Sequence, residues 1–130
     1  MARALIGIIA VVGIALGAIF ALDWQARRND EVRIVEVPFD VLGTDAITTG
    51  RIIFIRSDKS DSADLLAHEL VHVCQWEEDG LEFLWDYTTE YTRNLVELKD
   101  LDAAYVELSF EQEARLGEVE CDLGQYLIAD

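Results

Sequence analysis

Basic residues are what this sequence lacks most: 10 Lys and Arg stand against 26 Asp and Glu, for a formal net charge of −16. A nucleic-acid binder neutralises phosphates with Lys and Arg, so this balance excludes that class of partner. It also disfavours adhesion of the folded domain to an anionic membrane surface. The excess of acid reads most simply as a solvated, self-repelling surface. Proline occurs once, at Pro38, and there are no internal repeats or low-complexity stretches. Cysteine is nearly absent too. Cys74 and Cys121 permit one disulfide without demanding it.

One segment lacks charge altogether. From Ala4 to Leu22 no side chain is charged or polar. As a helix rising about 1.5 Å per residue, this run spans roughly 28 Å, close to the ~30 Å hydrocarbon core of a bilayer. A retained membrane anchor over residues 1–22 is the favoured reading, with Trp24 placed as an interfacial aromatic. The alternatives are a cleaved signal sequence behind Arg3 and a buried core helix, which at this length would normally carry a polar stripe. Gly13 and Gly17 form a G-x-x-x-G pair that could let two anchors approach. Arg27, Arg28 and Arg33 follow the run while only Arg3 precedes it, so the charge rule leans toward a cytoplasmic domain. Residues 23–31 read as a charged tether, and residues 32–130 are long enough for one small domain.

Within that domain, residues 33–37 alternate charged and β-branched side chains and predict a short strand ended by Pro38. Residues 51–56 (Arg-Ile-Ile-Phe-Ile-Arg) predict a second strand, and the two are expected to pair antiparallel. Thr48-Thr49-Gly50 reads as turn material. A helix is expected from about Ser62 to Asp79, capped by Ser60, Asp61 or Ser62 and ended at Gly80. A second helix over roughly 81–99 carries an apolar stripe that includes Phe83, Tyr87 and Tyr91, of the kind that packs a core. A third helix over about 110–128 begins behind Ser109 as N-cap. The fold class is therefore α+β: a membrane helix, then a strand pair and about three helices.

Histidine is as scarce as cysteine, yet both histidines fall in one short string, His68-Glu69-Leu70-Val71-His72. On a helix turning about 100° per residue, His68 and His72 lie about 40° apart on one face, where two imidazoles can hold one tetrahedral metal. Glu69 projects beside that face, within reach of a water on the metal but not of the metal itself. This is the pattern of a zinc hydrolase, with Glu69 as general base. No histidine remains for a third ligand, so a carboxylate is expected. Residues 109–115 offer two, Glu111 and Glu113, about 200° apart around the same helix, so both cannot ligate. Cys74 points away from the metal direction and reads as buried. Trp76, Trp85, Phe83 and Tyr87 read as packing residues, and Tyr105 as either packing or a donor to the oxyanion of the reacting carbonyl.

The order of these parts resembles the gluzincin type of metallopeptidase, in which H-E-x-x-H is followed by a helix bearing a glutamate ligand. More narrowly, Thr49 to Arg56, then HELVHVCQW (68–76), then Tyr105 ahead of SFEQEAR (109–115), is similar to the small bacterial domain of extracellular contractile injection systems, the eCIS core domain. The resemblance implies a zincin-like domain with Zn2+ on His68, His72 and Glu111, between the first and third soluble helices. It also implies a peptide or protein substrate. Arg115 departs from the wider pattern, which has an acidic partner for a ligand histidine there, so that partner must come from elsewhere. Two other readings stand beside a membrane-tethered zinc metallopeptidase. One is a metal-stabilised binding or assembly module without hydrolytic activity, and the other a small anchored protein without metal.

Overall fold

The computed structural model describes the backbone of residues 2–117, 121–123 and 125–129, with side chains described over 10–117 and 121–123. A single helix, α1 (Ala2–Asn29), takes in the whole apolar run. It is long and apolar enough to cross a membrane. Val11, Ile14, Leu16 and Phe20 stand exposed on it, covered by no other described residue. The segment expected as a tether is helical as well: residues 23–29 are the last turns of α1. These turns lie against the domain, and Ala26 is fully buried there.

Four strands follow: β1 (Glu31–Val37), β2 (Ala46–Thr49), β3 (Ile52–Arg56) and, after the helices, β4 (Gln125–Ala129). They form one sheet in the order β2-β3-β1-β4. The fold is α+β as expected, but the pairing corrects the sequence reading. The two strands read from the sequence run parallel, with Arg33 opposite Ile52 and Val37 opposite Arg56. The antiparallel pair is β2 with β3, Ala46 opposite Ile55 and Thr49 opposite Ile52. The residues read as turn material, Thr48 and Thr49, are the end of a strand, and only Gly50-Arg51 turns. The chain reverses twice between β1 and β3, once before β2 and once at the Gly50-Arg51 hairpin, so β3 runs alongside β1 in the same direction. β4 also runs parallel to β1.

The helices α2 (Ala63–Asp79), α3 (Leu81–Leu98), α4 (Leu101–Val106) and α5 (Ser109–Leu116) fill the rest. Ser62 caps α2 through its hydroxyl, which accepts from Leu65 N–H, and Gly80 ends it, both as expected. α5 is shorter than the sequence suggested. Gly117, at φ +64°, closes it in the left-handed cap conformation that favours glycine, and residues 125–129 are strand instead of helix. Ser109 is the first helical residue, not the cap.

α2 packs on one face of the sheet. Val32, Ile34, Ala46, Ile53 and Ile55 meet Val73 and Cys74 of the helix, with Leu65, Leu66 and Leu70 at the margin. Cys74 is bonded to Cys121, with Cα atoms 5.6 Å apart. The sheet thus presents α2 with one stripe in the core and another turned toward α3 and α5, and that second stripe carries the histidines.

Candidate metal centre

His68 and His72 sit one turn apart on α2, and α5 brings Glu111 against them. The Nε2 atoms of the two histidines are 3.2 Å apart. Glu111 Oε2 lies 3.0 Å from His68 Nε2, and Glu111 Oε1 lies 3.3 Å from His72 Nε2. Two ligand atoms held about 2.0–2.1 Å from a tetrahedral zinc stand roughly 3.3–3.4 Å from each other. The three separations here are close to those edges, so the donor set fits a tetrahedral metal. Two imidazoles and a carboxylate are also the donors zinc takes when one position is kept open. Among the described residues these three form the group able to hold an ion.

The electrostatics agree with that geometry. Burial opposes the charge of Glu111, but hydrogen bonds with His68 and His72 outweigh it and hold the carboxyl well below the usual range. Burial likewise opposes charge on His72, and the adjoining Glu111 carboxylate overcomes this and raises its pKa.

His72 has a second partner that the sequence did not reveal. Its Nδ1 lies 2.7 Å from Gln75 Oε1. Gln75 is 2% exposed, and its amide nitrogen donates to Phe110 O (3.1 Å) and to Glu113 Oε2 (2.9 Å). With the amide nitrogen so engaged, Gln75 Oε1 accepts from His72 Nδ1–H, which leaves the Nε2 lone pair for the metal side. Glu113, the alternative ligand, therefore stands outside the donor group and instead fixes the residue that fixes His72. The acidic partner missing at Arg115 is replaced by an amide one turn along α2. The one sequence signal was spacing, since residues 72 and 75 face the same way on a helix.

Glu69 is apart from the donors, as the helical angle predicts. It is 5% exposed, and its Oε2 accepts a 2.6 Å hydrogen bond from the Thr48 hydroxyl on β2. Burial raises the Glu69 pKa, offset in part by Thr48. Tyr87, read as a packing residue, also donates to the site, its hydroxyl 2.9 Å from Glu111 Oε1. Tyr105 borders the same space. Burial, followed by the Glu111 charge, raises its pKa and keeps the phenol protonated.

These residues line a cavity of about 170 Å³. Glu69, His72 and Glu111 form its floor. Thr48 and Ile47 of β2 bound one side, and Trp76, Phe83 and Leu84 the other. Phe83 is the hub of the aromatic wall, with ring centroids 5.1 Å from Trp76 and 5.0 Å from Phe110. Trp85 is not part of it and is 74% exposed.

The α+β domain, with its small mixed sheet, brings two histidines of one helix and a glutamate of a later helix together as a candidate metal centre. Residues 35–80 match the eCIS core domain. That stretch runs from β1 to the end of α2 and holds Thr48, His68, Glu69 and His72. Tyr105 and Glu111 lie outside it. No curated protein and no solved structure matches the chain.

Proposed function

We propose that the chain is a membrane-tethered, zinc-dependent peptidase, with His68, His72 and Glu111 as metal ligands and Glu69 as general base. The observation that carries this reading is the place of Glu69. It is a buried carboxylate outside the donor group, held by an edge strand and opening on the same cavity. A purely structural metal needs neither a base nor a cavity beside it.

Zinc at these ligands supplies a Lewis acid and acidifies water. Glu69, with its raised pKa, takes the proton of the attacking water and passes it to the leaving amine. Thr48 holds the Glu69 carboxylate in position. The protonated Tyr105 hydroxyl, which borders the cavity, would donate to the carbonyl oxygen as charge develops. Among the described residues β2 is an edge strand, suited to aligning an extended peptide as an added strand. Residues 51–56 lie inside the sheet and offer no such edge. The disulfide supports a domain facing an oxidising compartment, against the lean of the flanking arginines.

The test is metal content by elemental analysis together with hydrolysis of a mixture of unstructured peptides, followed by mass spectrometry. One zinc per chain is expected, retained in Glu69→Gln with loss of all cleavage. Cleavage that survives Glu69→Gln would remove the proposed base. Zinc held by a chain that cuts nothing would favour the second reading, a metal-stabilised binding module, for which the near-complete burial of His72 and Glu111 speaks.

A further inference from the structure

The candidate site is fastened to the membrane helix by two short routes. In the first, Asp23, the residue that follows the apolar run, accepts from the backbone N–H of Arg51 at 2.7 Å. Gly50 makes that approach possible. It sits at φ +59°, and a Cβ there would lie 2.3 Å from Asp23 Oδ1. Three residues back along β2, Thr48 holds Glu69. Three residues of chain reach at most about 10 Å. Adding the two hydrogen bonds and side-chain lengths, the Glu69 carboxylate stands no more than about 20 Å from Asp23. In the second route, Arg27 pairs with Glu77, which also pairs with the buried Arg51 at 3.1 Å. The neighbour of Glu77 is Trp76, a wall of the cavity. α1 is one unbroken helix through these contacts, so the apolar run joins the domain without an intervening loop.

From these contacts we propose that the site acts on polypeptide held at the bilayer surface, namely the juxtamembrane stretch of another membrane-anchored chain, and not on freely diffusing protein. This rests on the peptidase reading and on retention of α1. The headgroup layer itself takes up about 5–7 Å on each side of the hydrocarbon. A site within about 20 Å of the hydrocarbon edge therefore faces segments that emerge from the membrane, whatever the tilt of α1. A folded domain of 100 residues, with a radius of gyration of about 13 Å, has little room to present an interior segment there. The cavity mouth suits such a place. Leu42 and Leu84 of its lining are exposed, an apolar margin on a protein otherwise rich in acid.

The experiment uses the full chain in phosphatidylcholine vesicles, beside a variant with a flexible Gly/Ser insert of about 15 residues between Leu22 and Asp23. Such an insert adds roughly 20 Å of reach and leaves every latch residue in place. With Trp24→Phe and Trp85→Phe in both chains, Trp76 reports its distance from lipids carrying a headgroup nitroxide. Quenching in the native-length chain is expected to exceed that in the insert chain at least twofold, and equal quenching would overturn the proposal. The zinc-loaded chains are then given peptide mixtures joined to a double acyl anchor by a short or a long spacer. The native-length chain should cut short-spacer peptides about tenfold faster, and the insert chain should lose that preference. Equal cutting of free, short-tethered and long-tethered peptides overturns the substrate class. The expected quenching with no peptide cut at all overturns the peptidase reading instead, and the substrate class with it. Protein recovered from its native membrane without residues 1–22 overturns the proposal at its base.

Discussion

The site is built from two halves that are held in place by different forces. The α2 half, with His68, Glu69 and His72, rides on a helix of 17 residues whose other face is packed into the sheet core. The α5 half, with Glu111, rides on a helix of 8 residues in which Glu111 and Ala114 are the buried positions. So short a helix buries little apolar surface and is marginal alone. Its position comes from directional ties: Gln75 to Phe110 O and Glu113, Glu90 to Ser109, and the disulfide that joins the chain beyond it to Cys74. One half is placed by burial in the sheet core, and the other adds polar and covalent clamps to the smaller packing of Leu108 and Phe110. Metal affinity should therefore respond far more to changes around α5 than to equal changes in stability around α2.

The largest effect is expected from Glu111→Ala, which leaves two histidines to hold the metal. Zinc content should fall from one per chain to none after dialysis against zinc-free buffer, while Glu113→Ala keeps its zinc and binds it more weakly. A Glu113→Ala chain that loses its zinc outright, beside a Glu111→Ala chain that keeps it, would reverse the assignment of the two glutamates. Next comes the covalent tie. Cys74 and Cys121 are 47 residues apart, and closing a loop of that length stabilises the fold by about 4 kcal/mol on the chain-entropy account. Urea unfolding of the metal-free Cys74→Ala, Cys121→Ser chain should show most of that loss. A change below about 1 kcal/mol would mean that the α5 half is held without it.

Gln75→Leu tests the polar clamp directly. It removes the acceptor at His72 Nδ1 and both ties to α5, so zinc affinity should fall about 10- to 100-fold. Gln75→Glu with Glu113→Gln restores an acceptor for His72 and a donor for residue 75, and should recover most of the affinity. Competition with a chelator of known affinity measures both. If the leucine variant binds zinc as tightly as the parent, the site does not depend on His72 being oriented.

The unequal legibility of the two halves has the same origin. His68, Glu69 and His72 could be read because helical spacing alone brings them together, and α2 could be bounded because Ser62 and Gly80 are local signals. Gln75, Thr48 and Tyr87 could not be read as parts of the site. Their roles depend on which element packs against α2, and spacing along the chain does not encode that. The parallel run of β1 and β3 was hidden for a related reason. Residues 46–49 are too short and too rich in threonine to announce a strand, yet that strand reverses the chain between them. The end of α5 is marked locally by Gly117, the kind of residue that closes a helix, although apolar residues continue at helical spacing beyond it.

The smallest expected effect is also the sharpest test of the contrast, because it compares two helix starts of equal cost. Ser62 caps α2 by accepting from Leu65 N–H at 3.3 Å. Glu90 of α3 does the equivalent for α5, accepting from Ser109 N–H at 3.1 Å and from the Ser109 hydroxyl at 2.7 Å. Ser62→Ala and Glu90→Ala should each cost about 1 kcal/mol in urea unfolding of the metal-free chain. Zinc affinity should separate them. With α2 seated on the sheet, Ser62→Ala should leave affinity within about twofold, because the histidines do not move when one turn frays. With α5 released at its first turn, two residues before Glu111, Glu90→Ala should weaken zinc several-fold. Equal losses of affinity in the two variants would mean that both halves are placed by the same core, and that burial alone positions the site.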